Sequence, residues 1–296
     1  MAQLVNPQTP VRFLSLGDSY TIGQSVTVNQ RWPVQLMDSL AERGFVSDTL
    51  NIIATTGWRT DNLLTAIENR GLATHHYNLV SILIGVNNQY QNRPISQYMT
   101  EFPQLLDSAI RYAGGDTSHV FIVSIPDYAY TPYGQNSNPA QISAGIDQYN
   151  QINRQFAQLY GITYFDVTPI SRQGVAQPAL VASDGLHPSG LQYSAWVTKI
   201  LHYVDSISTT TNLPERKQES MFSVFPNPAT DKITVQSRFP LSGAGIEVYN
   251  SIGRLLIRCP MHTQNHTIEL SHLSPGLYYA KLIHDGKTSI QRVVLE

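Results

Sequence analysis

Val11-Arg12-Phe13-Leu14-Ser15-Leu16-Gly17-Asp18-Ser19-Tyr20 sets a strand-length apolar run directly against a Gly-Asp-Ser turn. Such a run, ended by a small residue and a turn, reads as a strand buried on both faces of a parallel sheet. Four more follow at Leu50 to Thr55, Leu79 to Ile84, Val120 to Ile125 and Ile162 to Val167. Between them apolar residues recur three or four apart, the period of a helix with one inward face. Trp32, Leu36 and Leu40 form one such set, and Leu63, Leu64 and Ile67 a second. Tyr98, Phe102, Leu105 and Ile110 form a third, and Ile146, Tyr149, Asn153 and Phe156 a fourth with one polar interruption. Gly44, Gly71, Gly114 and Gly161 stand where these helices should stop. A closing helix is expected over Ser189 to Ile207, with Trp196, Ile200, Leu201 and Val204 inward. Strand and helix alternating in this way predict an α/β domain, a five-stranded parallel sheet covered on both faces.

At 296 residues the chain has room for that domain and a smaller one. Hydrophobic residues make up 42% and charged residues 14%, with a formal net charge of -2. No segment concentrates the Lys and Arg that a nucleic-acid partner requires, and the longest apolar runs fall far short of the roughly 20 residues that cross a bilayer. Cys259 is the one cysteine, which excludes an intrachain disulfide and a cysteine-based zinc site. His75-His76 has no Asp, Glu or further His spaced to complete a metal site and reads as a polar pair facing solvent at a helix-to-strand junction. Met1 to Asn6 lacks the basic start and apolar stretch of a secretion signal, and is compatible with a mature end behind an added Met.

After the α/β pattern, Ser206 to Ser220 is polar and aperiodic and contains Pro214, the composition of a linker. Short alternating stretches then follow at Lys232 to Gln236, Ile246 to Tyr249, Arg254 to Ile257, Thr267 to Leu270, Leu277 to Ile283 and Thr288 to Val294. Turn residues separate them at hairpin spacing, which predicts a small antiparallel β-sandwich. The expected division is 10–207 for the α/β domain, 208–221 for the linker and 222–296 for the sandwich.

In an open parallel sheet the carboxyl ends of the strands gather the loops that carry chemistry. Ser19 stands at one such end. A serine hydroxyl acts as a nucleophile only with a base beside it and donors for the oxyanion it creates; Gly17-Asp18-Ser19 read alone is equally a polar turn. Ser183-Asp184-Gly185-Leu186-His187-Pro188 spaces a carboxylate and an imidazole three residues apart, so one turn of chain lets Asp184 meet Nδ1 and leaves Nε2 free; an Asp cap near a surface His is the plain alternative. Asn87, after the most apolar strand, offers a neutral amide donor at any pH, or is half of a turn-forming Asn-Asn pair. Gly57 in Thr55-Thr56-Gly57-Trp58 could present a bare backbone N–H or be an ordinary strand-to-helix glycine.

Together, in this order and at these strand ends, the four segments resemble the sequence blocks of the SGNH (GDSL-like) hydrolase superfamily over about Val11 to Val204. The resemblance implies a three-layer α/β/α flavodoxin-like domain and ester hydrolysis without metal or cofactor. Ser19 would be the nucleophile, His187 the base and Asp184 its orienting partner, with Ser19, Gly57 and Asn87 forming the oxyanion hole. Tyr20 stands where the motif has Leu, and Asn88 where it has Asp; the second change removes a carboxylate from the donor loop but leaves each catalytic position intact.

Pro126 to Tyr133, rich in tyrosine, is expected to overhang the same crevice as a partial wall for a sugar or a short acyl group, or to pack on the last helix. Arg59, Asn88, Tyr90, Tyr128 and Tyr130 are the candidate substrate-binding residues. At the other end of the chain, Phe225-Pro226-Asn227-Pro228-Ala229, Val248 to Arg254 and Leu273 to Tyr278 resemble the blocks of Bacteroidetes C-terminal sorting domains. That resemblance implies type IX secretion machinery as a partner and a secreted or cell-surface enzyme. A carbohydrate-binding sandwich is the rival, and no Trp follows Trp196 to support it. For the whole chain, an esterase for short-acyl esters such as acetylated glycans is expected. Lipid or lysophospholipid acyl hydrolysis and non-catalytic glycan binding are the other readings.

Overall fold

The computed structural model describes residue 5 and residues 8–70, 77–208, 221–238, 244–250, 253–285 and 287–296. Gly71, His75, His76 and residues 209–220 of the expected linker lie outside the described residues. The chain divides into two compact units, the larger within Met1–Ala157 and Ile162–Asn212, the smaller within Leu213–Glu296 together with Gln158–Gly161.

The larger unit begins with β1 (Val11–Gly17), α1 (Ser19–Ile22), α2 (Trp32–Glu42), β2 (Ser47–Ala54), α3 (Thr60–Asn69) and β3 (Leu79–Leu83). It continues through α4 (Val86–Tyr90), α5 (Ile95–Tyr112), β4 (Val120–Val123), α6 (Pro132–Gln135) and α7 (Pro139–Tyr160). Then come β5 (Thr163–Phe165), α8 (Thr168–Ser171) and α9 (Gly190–Ser208). The five strands pair in parallel in the order β2-β1-β3-β4-β5, a three-layer flavodoxin-like α/β/α fold. Strands β3 and β4 are buried at every position, as their unbroken apolar runs require. Edge strand β2 starts three residues before its apolar run, because an edge tolerates the exposed Ser47 and Asp48.

The helices bury the faces their periods indicate. Trp32, Leu36 and Leu40 of α2 are fully buried, and the Trp32 ring sits against Phe13 and Phe121 of the sheet. In α5, Tyr98, Phe102 and Leu105 are buried, but Ala109 rather than the expected Ile110 completes the face. Four residues beyond Leu105 is the closer match to the helical period. Gly44, Gly114 and Gly161 all have positive φ, the backbone of a glycine helix stop.

The smaller unit holds two antiparallel sheets around one core of residues such as Phe222, Val235, Ile246, Val248 and Leu282. One sheet runs in the order β10 (Asn265–Glu269), β7 (Lys232–Ser237), β6 (Phe222–Phe225). The other runs β12 (Lys287–Leu295), β11 (Gly276–His284), β8 (Ala244–Asn250), β9 (Leu255–Met261). Strand β6 has no counterpart among the expected strands. It is a four-residue edge strand running into Pro226, and proline, lacking an N–H, is confined to such edges.

The backbone is tightest where β1 ends. Gly17 lies level with Ala54 of β2 and with Leu83 of β3. A Cβ on Gly17 would come within 2.4 Å of the Leu83 carbonyl oxygen and 2.1 Å of Thr21 Oγ1. Gly17→Ala is therefore expected to destabilise this unit by roughly 1–3 kcal/mol, the usual cost of overpacking. The chain's three tryptophans, Trp32, Trp58 and Trp196, all belong to the larger unit, so tryptophan fluorescence in urea reads its unfolding alone. An unchanged midpoint would show that the strand ends are not tightly packed.

Candidate active site

The register at Gly17 brings the segments that follow β1, β2 and β3 out at one level. Asp18 caps α1 with Oδ1 accepting from the Tyr20 N–H, which places Ser19 at the first position of that helix. Gly57 has φ 84, and a Cβ built there meets nothing within 4 Å. Asn87 lies in the first turn of α4, whose cap Gly85 has φ 126 and no space for a side chain beside Tyr98 and Ile125. The described residues thereby form a cleft of about 240 Å³ lined by Ser19, Gly57, Asn87 and His187. Val86 and Leu186 add apolar surface, and Tyr90, Tyr128 and Tyr133 form a wall. His187 is the one titratable nitrogen on the lining, and no carboxylate is among the lining residues.

Asp184 and His187 meet as their spacing suggests. The His187 Nδ1–H donates to Asp184 Oδ2 at 2.6 Å, while Oδ1 accepts the backbone N–H groups of Leu186 and His187 at 2.9 and 3.0 Å. Ser25 Oγ donates to the same Oδ2 at 2.6 Å. Partial burial opposes ionisation of Asp184, yet the Ser25 hydroxyl, the two backbone donors and the imidazole outweigh it and hold the carboxyl well below the ordinary carboxylate range. An ionised Asp184 keeps the proton on Nδ1 and leaves Nε2 as an acceptor. The Tyr20 ring meets the His187 ring edge-on at 5.8 Å. Ser19 and His187 line the cleft together without a direct hydrogen bond among the described residues; nucleophile–base contacts commonly tighten only once substrate is bound.

Further hydrogen bonds tie the loops to one another. Asn87 Nδ2 donates one N–H to the Trp58 carbonyl at 2.8 Å, which leaves its second N–H available. Gln91 Nε2 donates to the Gly57 carbonyl, and Thr56 Oγ1 to Gln24 Oε1.

The substrate-binding expectations divide. Tyr90 and Tyr128 are on the cleft, joined by Tyr133, whose hydroxyl lies 2.6 Å from that of Tyr90. Burial pushes the Tyr128 phenol up to about 12, so it is neutral at working pH. Asn88 must be corrected: it is fully buried, with its amide committed to the Thr60 backbone N–H and hydroxyl. Its neighbour Asn87 faces the cleft because successive residues on a helix point about 100° apart. Arg59 is likewise off the lining, paired with both carboxylate oxygens of Asp61 and with Gln91. Tyr130 does not reach the cleft either. Sequence reasoning missed Ser25, because nothing local marks a serine that meets a carboxylate 159 residues away. Among the described residues no group of three or more His, Cys, Asp or Glu is placed to hold a metal ion.

A family model for GDSL-like lipases/acylhydrolases matches residues 15–195. The chain belongs to that family. It is a carboxylic ester hydrolase, and the residues that line the cleft all fall within the matched range. A second family model, the secretion system C-terminal sorting domain, matches residues 223–296 and marks the protein as secreted or cell-surface. Among solved structures, a lipolytic protein of the G-D-S-L family from Veillonella parvula shares the fold at 17% identity and TM-score 0.50, over 65% of this chain and 97% of that one. An acetylxylan esterase from Geobacillus stearothermophilus does so at 17% identity and TM-score 0.50, over 71% and 97%. The lipase/acylhydrolase from Enterococcus faecalis matches at 17% and 0.50, over 67% and 96%. At such identities the likeness is one of fold. No curated protein matches the sequence.

Beside Ser19, Asp18 is fully buried and its Oδ2 has no hydrogen-bond partner among the described residues. Burial pushes this carboxyl up to about 7 against the pull of the Tyr20 N–H and its own. Between the ordinary Asp value of 3.8 and about 7 the folded chain keeps a proton that the unfolded chain releases, so this group makes stability fall as pH rises through that window. Asp18→Asn retains the acceptor for Tyr20 and cannot ionise. The stability of the wild type relative to this variant should decline between pH 4 and pH 8, read by urea unfolding at each pH; parallel pH profiles would refute a buried, proton-binding Asp18.

Proposed function

We propose that this GDSL-like hydrolase cleaves short-acyl carboxylic esters, acetylated glycans foremost, through an acyl-enzyme on Ser19. The observation that carries the reading is the His187–Asp184 hydrogen bond at an uncharged cleft shared with Ser19 and Asn87. Ser19 Oγ attacks the ester carbonyl carbon as its proton passes to His187 Nε2. The negative charge that develops on the carbonyl oxygen is met by the free N–H of Asn87 and the backbone N–H groups of Ser19 and Gly57. These donors are neutral and oriented in advance, so the charge is stabilised without reorganisation. The first N–H of a helix has no partner within the helix, which suits Ser19 for this part. Collapse of the tetrahedral adduct breaks the ester bond, and the imidazolium gives its proton to the leaving alcohol. Water then attacks the acyl-enzyme as His187 takes its proton; the acid leaves, and the proton returns to Ser19. Asp184 stabilises the imidazolium in both halves.

Two features support small acyl groups on sugar alcohols. The cleft, at about 240 Å³, is below the roughly 300–1,000 Å³ typical of sites for drug-sized ligands. Its wall is tyrosine, whose ring faces stack on sugars and whose hydroxyls bond to them. We further assign residues 10–207 to the hydrolase domain and 208–221 to a linker. Residues 222–296 are the address that type IX secretion machinery reads.

Ser19→Ala should lower turnover of p-nitrophenyl acetate by about 10⁴-fold or more, and wild-type kcat/KM should fall from acetate to longer acyl esters. Equal rates for the two proteins would remove Ser19 as nucleophile, and a maximum at long acyl chains would favour lipid substrates. Ser25 acts through Asp184 and is a positioning residue. It holds φ 65, a backbone that glycine suits better than serine. Ser25→Ala should reduce kcat roughly tenfold, the worth of one hydrogen bond to a charged group, with KM little changed. Ser25→Gly, which fits the backbone but lacks the hydroxyl, should lose as much; recovery in the glycine variant would assign the effect to strain instead.

A further inference from the structure

Behind the tyrosine wall lies a second depression of about 240 Å³, which shares Tyr90 and Tyr128 with the catalytic cleft. Its other lining is almost wholly uncharged and amide-bearing: Gln89, Asn92, Asn138 and Gln141, with Ser137 and the buried Ile142. Resting on the esterase reading, we propose that this depression is the alcohol-side subsite, taking a neutral, hydroxyl-rich glycosyl unit next to the one that bears the acyl group.

Three observations make it a built feature. Gln89 is oriented by the Tyr128 hydroxyl, which donates to its Oε1 at 2.9 Å, so the amide N–H groups are turned away from that ring. Gly145, inside helix α7, makes room for it: a Cβ at Gly145 would come within 2.9 Å of Gln89 Nε2 and 3.0 Å of its Cγ. Glycine weakens a helix interior, and here it buys the space for one amide. Asn92 ends the α4 segment at φ 51, a backbone that asparagine tolerates better than most residues, with its N–H bound to the Gln89 carbonyl. No hydrogen bond among the described residues uses the Asn92 side chain or the Gln141 Nε2. Side-chain amides both donate and accept, which matches sugar hydroxyls, and the absence of charge on the lining disfavours an ionised alcohol. Tyr90 stands edge-on to Tyr128 at 6.2 Å between the two depressions, offering ring surface to both.

The test compares kcat/KM on a panel of acetylated xylose, glucose and mannose oligosaccharides with kcat/KM on p-nitrophenyl acetate, whose aryl group carries no hydroxyls for the amides to bind. In the exposed double variant Asn92→Ala/Gln141→Ala the ratio of oligosaccharide to p-nitrophenyl acetate should fall about tenfold, mostly through KM. Gly145→Ala, which displaces Gln89, should lower the same ratio. A ratio equal to wild type in the double variant overturns the subsite. So does a wild type that hydrolyses p-nitrophenyl acetate but none of the acetylated oligosaccharides, an outcome that leaves the esterase reading standing. If Ser19→Ala does not change hydrolysis, the esterase reading fails instead. The subsite is then judged by binding: titration of the unacetylated oligosaccharides into the full-length chain should saturate, and should weaken in the double variant. No saturation, or saturation indifferent to that variant, overturns it.

Discussion

The close approach of β1 to β3 at Gly17 is the constraint from which the site follows. Parallel strands deliver their loops at one end of a sheet, and the levels of Gly17, Ala54 and Leu83 decide that three of those loops emerge together. β1 lies between β2 and β3, so the chain turns to one side for the second strand and to the other for the third. Such a reversal leaves a crevice beside the middle strand. Ser19 stands at its mouth because the turn after Gly17 is tight and Asp18 caps the helix that starts there.

What the sheet aligns, side chains then lock. Ser25 to Asp184, Gln24 to Thr56, Asn87 to Trp58 and Gln91 to Gly57 join the loops in a chain of hydrogen bonds. Each adds only about 1 kcal/mol net to stability, but each removes freedom from a loop that shapes the cleft. The same region holds features that oppose folding: a buried carboxyl at Asp18 and a serine at φ 65. Backbone strain and a buried carboxyl beside a nucleophile are a usual mark of a site kept for chemistry.

Much of this was legible in the chain. Buried strands announced themselves as unbroken apolar runs, and the Asp184–His187 pair is a local feature, three residues apart and closed by one turn. The start of β2 lies ahead of its apolar run, because Ser47 and Asp48 face water and carry no apolar signal. The edge strand β6 escaped notice for a related reason, since Pro226 follows it at once. Asn88 and Arg59 misled in another way. Asn88 follows the lining residue Asn87 and Arg59 stands two residues after Gly57, but a helical step of about 100° turns Asn88 inward to Thr60, and Arg59 finds a carboxylate two residues on at Asp61.

The amino-acid sequence by itself determined the fold class, the two-part organisation, the family and the segments that supply Ser19, Asn87 and His187, because periodicity, turn chemistry and short motifs are local properties of the chain. Only the tertiary structure decided which residues share a cleft. Ser25 reaches Asp184 across 159 residues, and Tyr133 meets Tyr90 across 43. Gly145 leaves space for Gln89, a residue of a different helix. None of these pairings has a local signature, since each depends on the sheet register and helix packing that bring distant segments within 3 Å.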